Sequence, residues 1–456
     1  MTVVANRRRV PPGPTGLALL GILRKLSRDR LGLMTSAAAT YGDAVQLGPG
    51  SRALYFFNHP DHAKHVLADN SQNYRKGIGL VHARRALGDG LLTSEGELWR
   101  KQRKVIQPVF QARRIARQAD VVAQEAATLV ERLRARAGGP PVDVVTEMTG
   151  LTLGVLGRTL LDADLSGHES VGRSFEAMQD QAMFEMASMS MVPTWLPLPT
   201  QLRFRRARRE LQRVVDALVA ERIAGTGRGS ADDALSRLIE STRAEDDPRV
   251  GRQRMRDELV TLLLAGHETT ASTLSWTFHL LDRHPQVWQR LHEEAVGVLG
   301  DRLPGYEDLT RLTYTSMVIS EVMRLYPPVW MLSRKAIAAD EVGGYAVPAG
   351  ADVLICPYTL HRHPDFWEAP QRFDPERFDP AHTANRARYA YVPFGAGPRF
   401  CVGNHLGLME ATFVVAMVAR ELRLATEPGY RVVPEPMLSL RVRGGLPMRV
   451  RTTKAG

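Results

Sequence analysis

The chain has 456 residues, 44% of them hydrophobic, which is enough apolar material to bury a large core. Its two cysteines, Cys356 and Cys401, are too few for a secreted disulfide framework. The formal net charge of +11 would suit a nucleic-acid partner, but the arginines are dispersed along helical patterns and accompany no nucleic-acid motif. The charge therefore predicts solvated helix faces, with an acidic protein partner as the alternative.

The N-terminus combines a basic and an apolar stretch. Arg7-Arg8-Arg9 is followed by a proline-rich piece, and the apolar run from Leu17 to Leu23 ends at Arg24-Lys25 without a small-residue cleavage site. The run is shorter than the roughly 20 residues of a transmembrane helix. We therefore expect a cytoplasmic protein without a transmembrane segment. We predict a single domain, residues 1–456, in which residues 1–15 are a flexible Pro-rich terminus.

Helical periodicity dominates the chain, and strand-like pieces are few and short. Residues 44–47 and 53–57 flank a Gly-Pro-Gly turn, which predicts a hairpin. Further strands are predicted at residues 353–355 and 438–442. The predicted fold class is mainly α with a small β region.

A long helix is predicted from about Met255 to Leu281, because His284-Pro285 then stops it. In its middle lies the sequence AGHETT, residues 265–270. Its glycine weakens the helix locally, and a threonine hydroxyl can bond the carbonyl four residues earlier, which distorts the backbone ladder. A groove opened in this way could hold a small molecule. Taken alone, these would be ordinary polar helix residues.

Three other features are weak when each is considered alone. Glu321 and Arg324 are three residues apart and predict an ion pair on one helix face. Trp99 and Arg103 are four residues apart and share a face, and Arg334 lies in the sequence LSRKA. Each arginine by itself would be a solvated cation.

The sequence FGAGPRFCVG, residues 394–403, is the most specific motif in the chain. A cysteine outside a disulfide is most often an inert buried thiol, and we interpret Cys356 in that way. The spacing of Phe394, Gly397, Arg399, Cys401 and Gly403, however, is similar to the haem-binding signature of the cytochrome P-450 family. The overall pattern resembles the bacterial soluble type of that family, in particular actinobacterial members.

The resemblance implies a cytochrome P-450 fold, with haem b between the long helix and the cysteine loop. Cys401 would be the axial iron ligand, a thiolate that donates electron density to the iron. Arg399 could pair with a haem propionate, and Phe394 would shield the sulfur. The loop glycines, Gly403 among them, would let backbone N–H groups approach the sulfur. Ala265 would contact the haem.

Further roles follow from the same resemblance. Glu268 would relay protons and Thr269 would bond the activated oxygen. Trp99, Arg103 and Arg334 would reach the haem propionates. Glu321 and Arg324 would form a buried pair joined by Arg377. His267 is not expected to bind iron.

The implied activity is insertion of one oxygen atom from O2 into a lipophilic small molecule, by hydroxylation or epoxidation. The substrate would be a terpenoid, a polyketide or a fatty acyl compound. Nothing in the sequence binds flavin or nicotinamide, so we expect electrons from NAD(P)H through a separate ferredoxin or flavodoxin and its reductase. A basic cluster would dock that carrier: Arg100, Lys101, Arg103, Lys104, Arg113, Arg114 and Arg117. We expect a monomer with no nucleic-acid partner.

The pocket and the alternatives complete the predictions. The family's active-site roof corresponds to a segment rich in methionine and aromatic residues, which could equally be core packing: Phe175, Met178, Met183, Phe184, Met186, Met189, Met191 and Trp195. Residues 329–332 would line the pocket, and Arg52 or Tyr55 could meet a carboxylate. Two alternative functions are a peroxide-driven peroxygenase and a non-catalytic haem sensor or carrier. Glu268 and Thr269 argue against both, because neither needs this pair.

Overall fold

The computed structural model describes residues 9–16, 25, 28–48, 53–165, 169–188, 190–225, 233–243 and 245–453. Helices dominate these residues, and the mainly α prediction is confirmed. The helices are α1 Arg30–Tyr41, α2 Pro60–Lys64, α3 Ile78–Leu87, α4 Gly96–Ile106, α5 Ala112–Ala116, α6 Ala119–Arg134, α7 Val144–Leu156, α8 Glu169–Ala187, α9 Pro199–Ile223, α10 Ala234–Arg243, α11 Pro248–Arg283, α12 Pro285–Leu299, α13 Thr313–Leu325, α14 Pro357–Leu360, α15 Pro380–Thr383 and α16 Asn404–Glu421.

The strands are short and form small sheets. They are β1 Ala44–Leu47, β2 Leu54–Phe57, β3 Tyr74–Lys76, β4 Val142–Asp143, β5 Leu332–Ala336, β6 Asp340–Val342, β7 Tyr345–Val347, β8 Asp352–Ile355, β9 Leu422–Thr426, β10 Pro434–Pro436, β11 Leu440–Val442 and β12 Pro447–Thr452. The predicted hairpin is confirmed, since β1 and β2 pair antiparallel. Residues 49–52 of its turn, including Arg52, lie outside the described residues. The strands predicted near residues 353 and 438 correspond to β8 and β11.

The chain groups into two compact units. The first contains Met1–His82, Val329–Arg372 and Ala381–Cys401, and the second contains Ala83–Pro328, Phe373–Pro380 and Val402–Gly456. The predicted single domain of residues 1–456 stays a prediction.

The first unit is organised by a sheet of order β1-β2-β8-β5-β3. β2 and β8 pair parallel although about 300 residues separate them. Tyr55, Phe57, Val353 and Ile355 lie in the unit's apolar core. The proline-rich segment bonds to strands of two sheets, because Gln46 N–H of β1 donates to Pro12 O (2.8 Å) and Ala346 N–H of β7 donates to Arg9 O (2.9 Å). The expected flexible terminus of residues 1–15 stays a prediction, although Arg9 and Pro12 form these backbone hydrogen bonds.

The second unit is helical around α11, which packs against α7, α10, α13 and α16. α11 begins earlier than predicted, at Pro248, because Asp247 caps it by accepting from Arg249 N–H and proline suits the first helical position. It ends at Arg283, as the His284-Pro285 stop predicts. Among the described residues, no helix is both long and apolar enough to cross a membrane.

The predicted ion pair on α13 is buried and joined by a third charge. Arg324 contacts both carboxylate oxygens of Glu321, at 2.6 and 2.7 Å. Arg377 lies 3.6 Å from the same carboxylate, and Asp374 N–H donates to it at 2.9 Å. Buried charges of this kind must be paired, so the cluster fixes residues 374–377 on α13.

Candidate active site

The cysteine loop belongs to the first unit and takes its shape from two glycines. Gly395 and Gly397 have φ angles of 71° and 66°, a region that L side chains rarely adopt. A Cβ on Gly397 would lie 2.0 Å from the backbone oxygen of Leu67, so only glycine fits here. Cys401 N–H donates to Phe394 O at 3.0 Å, which closes the loop. The glycines were predicted to let the backbone approach the cysteine sulfur. Gly397 does make a close backbone approach, but to the backbone of Leu67.

The two cysteines lie in opposite environments. Cys401 is exposed, at the end of the loop. Cys356 is completely buried, its Sγ donates to Trp330 O at 3.1 Å, and burial raises the pKa of its thiol. A cysteine binds a metal as its thiolate, and burial disfavours that form for Cys356, so Cys401 is the cysteine better suited to that role. The prediction that Cys356 belongs to the core is confirmed.

Three other predicted site residues belong to the same unit. Arg334 lies on β5 and is buried, with Nη1 donating to Ser333 O at 2.9 Å. Arg399 is half-buried in a short 3-10 turn, and Phe394 is half-buried with its ring 6.3 Å from that of Phe400. The unit therefore contains the exposed Cys401 and two of the arginines expected at the site.

In the second unit, α11 has one interruption in its burial. Residues 258–264 and 270–281 are buried, but Ala265 between them is exposed and Gly266, Glu268 and Thr269 are half-buried. These four residues make up most of the predicted motif. The middle of an otherwise buried helix therefore presents its small and polar residues on an open face.

The backbone of α11 differs from the predicted distortion. Thr269 Oγ1 donates to Ala265 O at 2.9 Å, which is the predicted bond to the carbonyl four residues earlier. The helix nevertheless remains continuous from Pro248 to Arg283. A Cβ on Gly266 would lie 2.7 Å from Leu156 of α7. This glycine therefore lets the Leu156 side chain pack closely against α11, and no groove opens in the helix at this point.

Glu268 is held by side chains from other elements. Its Oε1 accepts a hydrogen bond from Ser439 Oγ at 2.6 Å. Burial raises the pKa of Glu268, and this effect is opposed by the hydrogen bonds from Ser439 and Gln179 and by the charge of Arg441. A carboxyl group with such opposing influences can both take up and release a proton.

His267 is structural, as expected. It is buried, its Nδ1 lies 2.6 Å from Leu263 O, and its ring packs 4.8 Å from the ring of Phe175. Burial lowers its pKa to about 4. It is therefore a neutral core residue.

Trp99, Arg103 and Gly403 also belong to the second unit. Trp99 and Arg103 are half-buried on α4, and Arg103 Nε donates to Gln107 Oε1 at 3.0 Å. Gly403 precedes α16 and lies against the ring of Phe110, 3.6 Å from the position of an added Cβ. This contact between Gly403 and Phe110 has no counterpart in the sequence prediction.

The residues expected to line a substrate pocket differ in their exposure. Phe175, Met178 and Met183 are buried in the core, whereas Met191 and Trp195 are each 72% exposed. Phe184 and Met186 are half-buried, and Met189 lies outside the described residues. Tyr55 is 5% exposed and packs in the sheet core, so it is not available to anchor a carboxylate.

Sequence reasoning missed the neighbours of Glu268. Ser439 and Arg441 come from the β10–β11 hairpin, about 170 residues further along the chain, and Gln179 comes from α8. The strand predicted at residues 438–442 was the one available signal, but a strand of this length does not reveal which residue faces a distant helix.

The residues present suit a haem. No group of three or more His, Cys, Asp or Glu side chains in the described part of the chain is arranged to hold a metal ion. An iron already bound by a macrocycle needs only one protein ligand, and an exposed thiol on a loop fixed by glycines can supply it.

Comparison with known proteins agrees with this chemistry. The cytochrome P-450 family model matches residues 11–447. The chain is 36% identical over 437 residues to cyclooctatin synthase of Streptomyces melanosporofaciens. This match covers 95% of this chain and 94% of the relative. It is 36% identical over 420 residues to cyclooctat-9-en-7-ol 5-monooxygenase of the same organism, with 91% and 90% covered.

A third relative is pentalenene oxygenase of Streptomyces avermitilis, 32% identical over 425 residues, with 92% of each chain covered. Matches of this identity span nearly the whole chain, as the family model does. The chain therefore belongs to the cytochrome P-450 family and is a haem-dependent monooxygenase.

Proposed function

We propose that this enzyme binds haem b through Cys401 and oxygenates a lipophilic terpenoid with electrons from separate carriers. The observation that carries the proposal is the contrast between the two cysteines. Cys401 is exposed on a loop shaped by two glycines with positive φ, while Cys356 is buried and hydrogen-bonded. When bound, the haem supplies the iron at which dioxygen is activated.

The residues that would hold the cofactor are cationic or small. Arg334, Arg399 and Arg103 are suited to the propionates because a guanidinium binds a carboxylate with two parallel hydrogen bonds. Trp99 would add a ring N–H donor. Phe394 would exclude water from the Cys401 sulfur. Ala265 is small enough to leave room for the haem ring. Gly403, which has no side chain, would leave space for the haem ring.

Protons would be handled by the open face of α11. Thr269 Oγ1 donates its own hydrogen to Ala265 O, so its lone pairs remain available to accept a hydrogen bond at the open face. Burial raises the pKa of Glu268 toward the operating pH and the bond from Ser439 limits this rise, so the carboxyl group can both release and take up a proton. The pair therefore offers a proton source and an oriented acceptor on one helix face.

The substrate class follows from the relatives. Their printed names give cyclooctat-9-en-7-ol and pentalenene, an alkene alcohol and an alkene. Such hydrocarbon skeletons are terpenoid in kind, and this favours a terpenoid over a polyketide or a fatty acyl compound. The exposed methionine and tryptophan after α8 are consistent with an apolar ligand, since methionine adapts to irregular apolar shapes.

The electron carrier would be a ferredoxin or flavodoxin, reduced from NAD(P)H by a separate reductase. The basic cluster is presented on α4, on α5 and just beyond α5, and its members Arg100, Lys101 and Arg113 are exposed. An acidic carrier would associate with it in a salt-dependent manner. Unchanged reduction rates at low salt after charge reversal of Arg113 and Arg114 would exclude this docking site. We place the enzyme in the cytoplasm, where its two cysteines would stay reduced.

Thr269→Ala tests the proposed chemistry. The purified enzyme is first titrated with terpenoids, fatty acids and macrolides to find a ligand that shifts the ferric spectrum. With that ligand and surrogate carriers, the share of electrons lost as hydrogen peroxide should be several-fold higher in Thr269→Ala. The reason is that the residue that directs protons is lost. Thr273→Ala is the matched control, since Thr273 makes the same backbone bond, to Thr269 O at 2.9 Å, on the buried part of the helix.

Each alternative function predicts a different result. A peroxygenase would form product from hydrogen peroxide equally well in both variants. A sensor or carrier would bind the ligand in both variants but would form product in neither of them. Carrier-driven turnover that is as well coupled in Thr269→Ala as in the unsubstituted enzyme would contradict the proposal.

A further inference from the structure

The acid of α11 is oriented by a residue to which no role has been assigned. Ser439 is 3% exposed and donates to Glu268 Oε1 at 2.6 Å. A hydrogen bond of this length from a hydroxyl to a carboxylate is a strong one. The orientation of the Glu268 carboxyl group is therefore set from the hairpin and not from its own helix.

The hairpin is fixed to α11 by two further hydrogen bonds. Leu440 O accepts from Ser272 Oγ at 2.5 Å and from Trp276 Nε1 at 2.9 Å. Ser272 and Trp276 lie one and two turns after Glu268 on the same helix. Because Leu440 is anchored in this way, its neighbour Ser439 is held over the carboxyl group with little freedom.

Several groups around Glu268 favour the ionised form of its carboxyl group. Arg441 of β11 acts on it electrostatically and is itself bonded to Glu435 at 2.9 Å. The Gln179 amide of α8 adds a hydrogen bond, while the exposed Glu176 of the same helix opposes ionisation. Donors from two elements thus offset part of the effect of burial on the carboxylate.

We propose that Ser439 is a positioning residue for proton delivery, which orients the Glu268 carboxyl group and supports its ionised form. The inference rests on the proposed role of Glu268. Without Ser439, Oε1 loses its short hydrogen bond, the carboxylate becomes less stable and the group turns toward its remaining donor, Gln179. Protons would then reach the open face more slowly.

Infrared titration of the holoenzyme measures this directly. The carboxyl band of Glu268 is assigned as the band lost in Glu268→Gln. In Ser439→Ala its midpoint should rise by about one pH unit, because a hydrogen bond to the charged form favours that form. Ser439→Thr should restore the midpoint. Ser275→Ala is the matched control, since Ser275 is a buried serine of the same helix whose hydroxyl donates to Ala271 O at 2.7 Å and not to the hairpin.

The second readout is the fraction of electrons lost as peroxide, together with the solvent isotope effect on product formation. Both should rise in Ser439→Ala and should not rise further when Ser439→Ala is combined with Glu268→Gln. An unmoved infrared midpoint in Ser439→Ala, or an equal shift in Ser275→Ala, would overturn the proposal. If Glu268→Gln alone left the peroxide fraction unchanged, the proposed role of Glu268 would fail, which is a different result from an ineffective Ser439 substitution.

Discussion

Glu258 shows how one buried carboxyl group can make the stability of the whole chain depend on pH. It is 1% exposed on α11, with Oε2 accepting from Leu91 N–H at 3.0 Å. Its Oε1 is buried and finds no hydrogen-bond partner among the described residues. Burial raises the pKa of Glu258 to about 8, with a further contribution from the charge of Asp257. The group is therefore neutral in the folded enzyme at neutral pH.

The sign of the resulting pH dependence follows from linkage. Between the ordinary value of 4.5 and about 8, the folded enzyme keeps a proton that the unfolded chain releases. Stability from this group is therefore lost as pH rises through that window. Glu258→Gln should remove this loss, so its stability advantage should grow between pH 5 and 8, to on the order of a few kcal/mol.

Apparent thermal midpoints of both proteins between pH 5 and 9 would measure the effect. Glu97→Gln provides the control, because Glu97 is exposed on α4. Parallel curves for Glu258→Gln and the unsubstituted enzyme would show that the Glu258 carboxyl group is not protonated in the folded state.

At the scale of elements, local signals were predictable from the sequence and long-range pairing was not. The hairpin of β1 and β2 has a glycine turn between two apolar runs, and the end of α11 has a proline stop. The start of α11 was missed because its arginine-rich first turns lack apolar spacing, although Asp247 and Pro248 form a cap. The parallel pairing of β2 with β8 depends on the tertiary fold and leaves no trace in either strand.

The cluster around Glu321 is the element-scale feature with the largest expected effect. Arg324→Ala would leave a buried carboxylate without its main partner, which costs about 3–5 kcal/mol. The segment of residues 374–377 would lose its attachment to α13. We expect a poorly folded protein with a low ratio of haem absorbance to total protein.

Arg290→Ala is the matched control for this substitution. Arg290 of α12 bonds Glu376 in the same segment, but the two side chains are 54% and 42% exposed. An exposed pair contributes only about 0–1 kcal/mol, so haem loading should stay normal. Normal haem loading in Arg324→Ala would show that the buried pair is not required for folding.

For the whole molecule, the type of chemistry was easier to predict from the sequence than the residues that surround the reactive groups. The cysteine loop and the acid and threonine of α11 are local motifs, so their residue types and spacing can be read directly. The partners of Glu268 lie on α8 and on a hairpin far along the chain, and only the fold brings them to α11. The charge of +11 is likewise visible in the sequence, but which basic residues are exposed is a property of the fold.

The central claim is that Cys401 holds the haem iron, and the carbon monoxide spectrum of the reduced holoprotein tests it most directly. The account predicts that the unsubstituted enzyme and Cys356→Ala both give a thiolate-type spectrum, because Cys356 is a core residue. Cys401→Ala should lose that spectrum even where haem remains bound. A thiolate-type spectrum retained in Cys401→Ala would contradict the assignment of the ligand and the mechanism built on it.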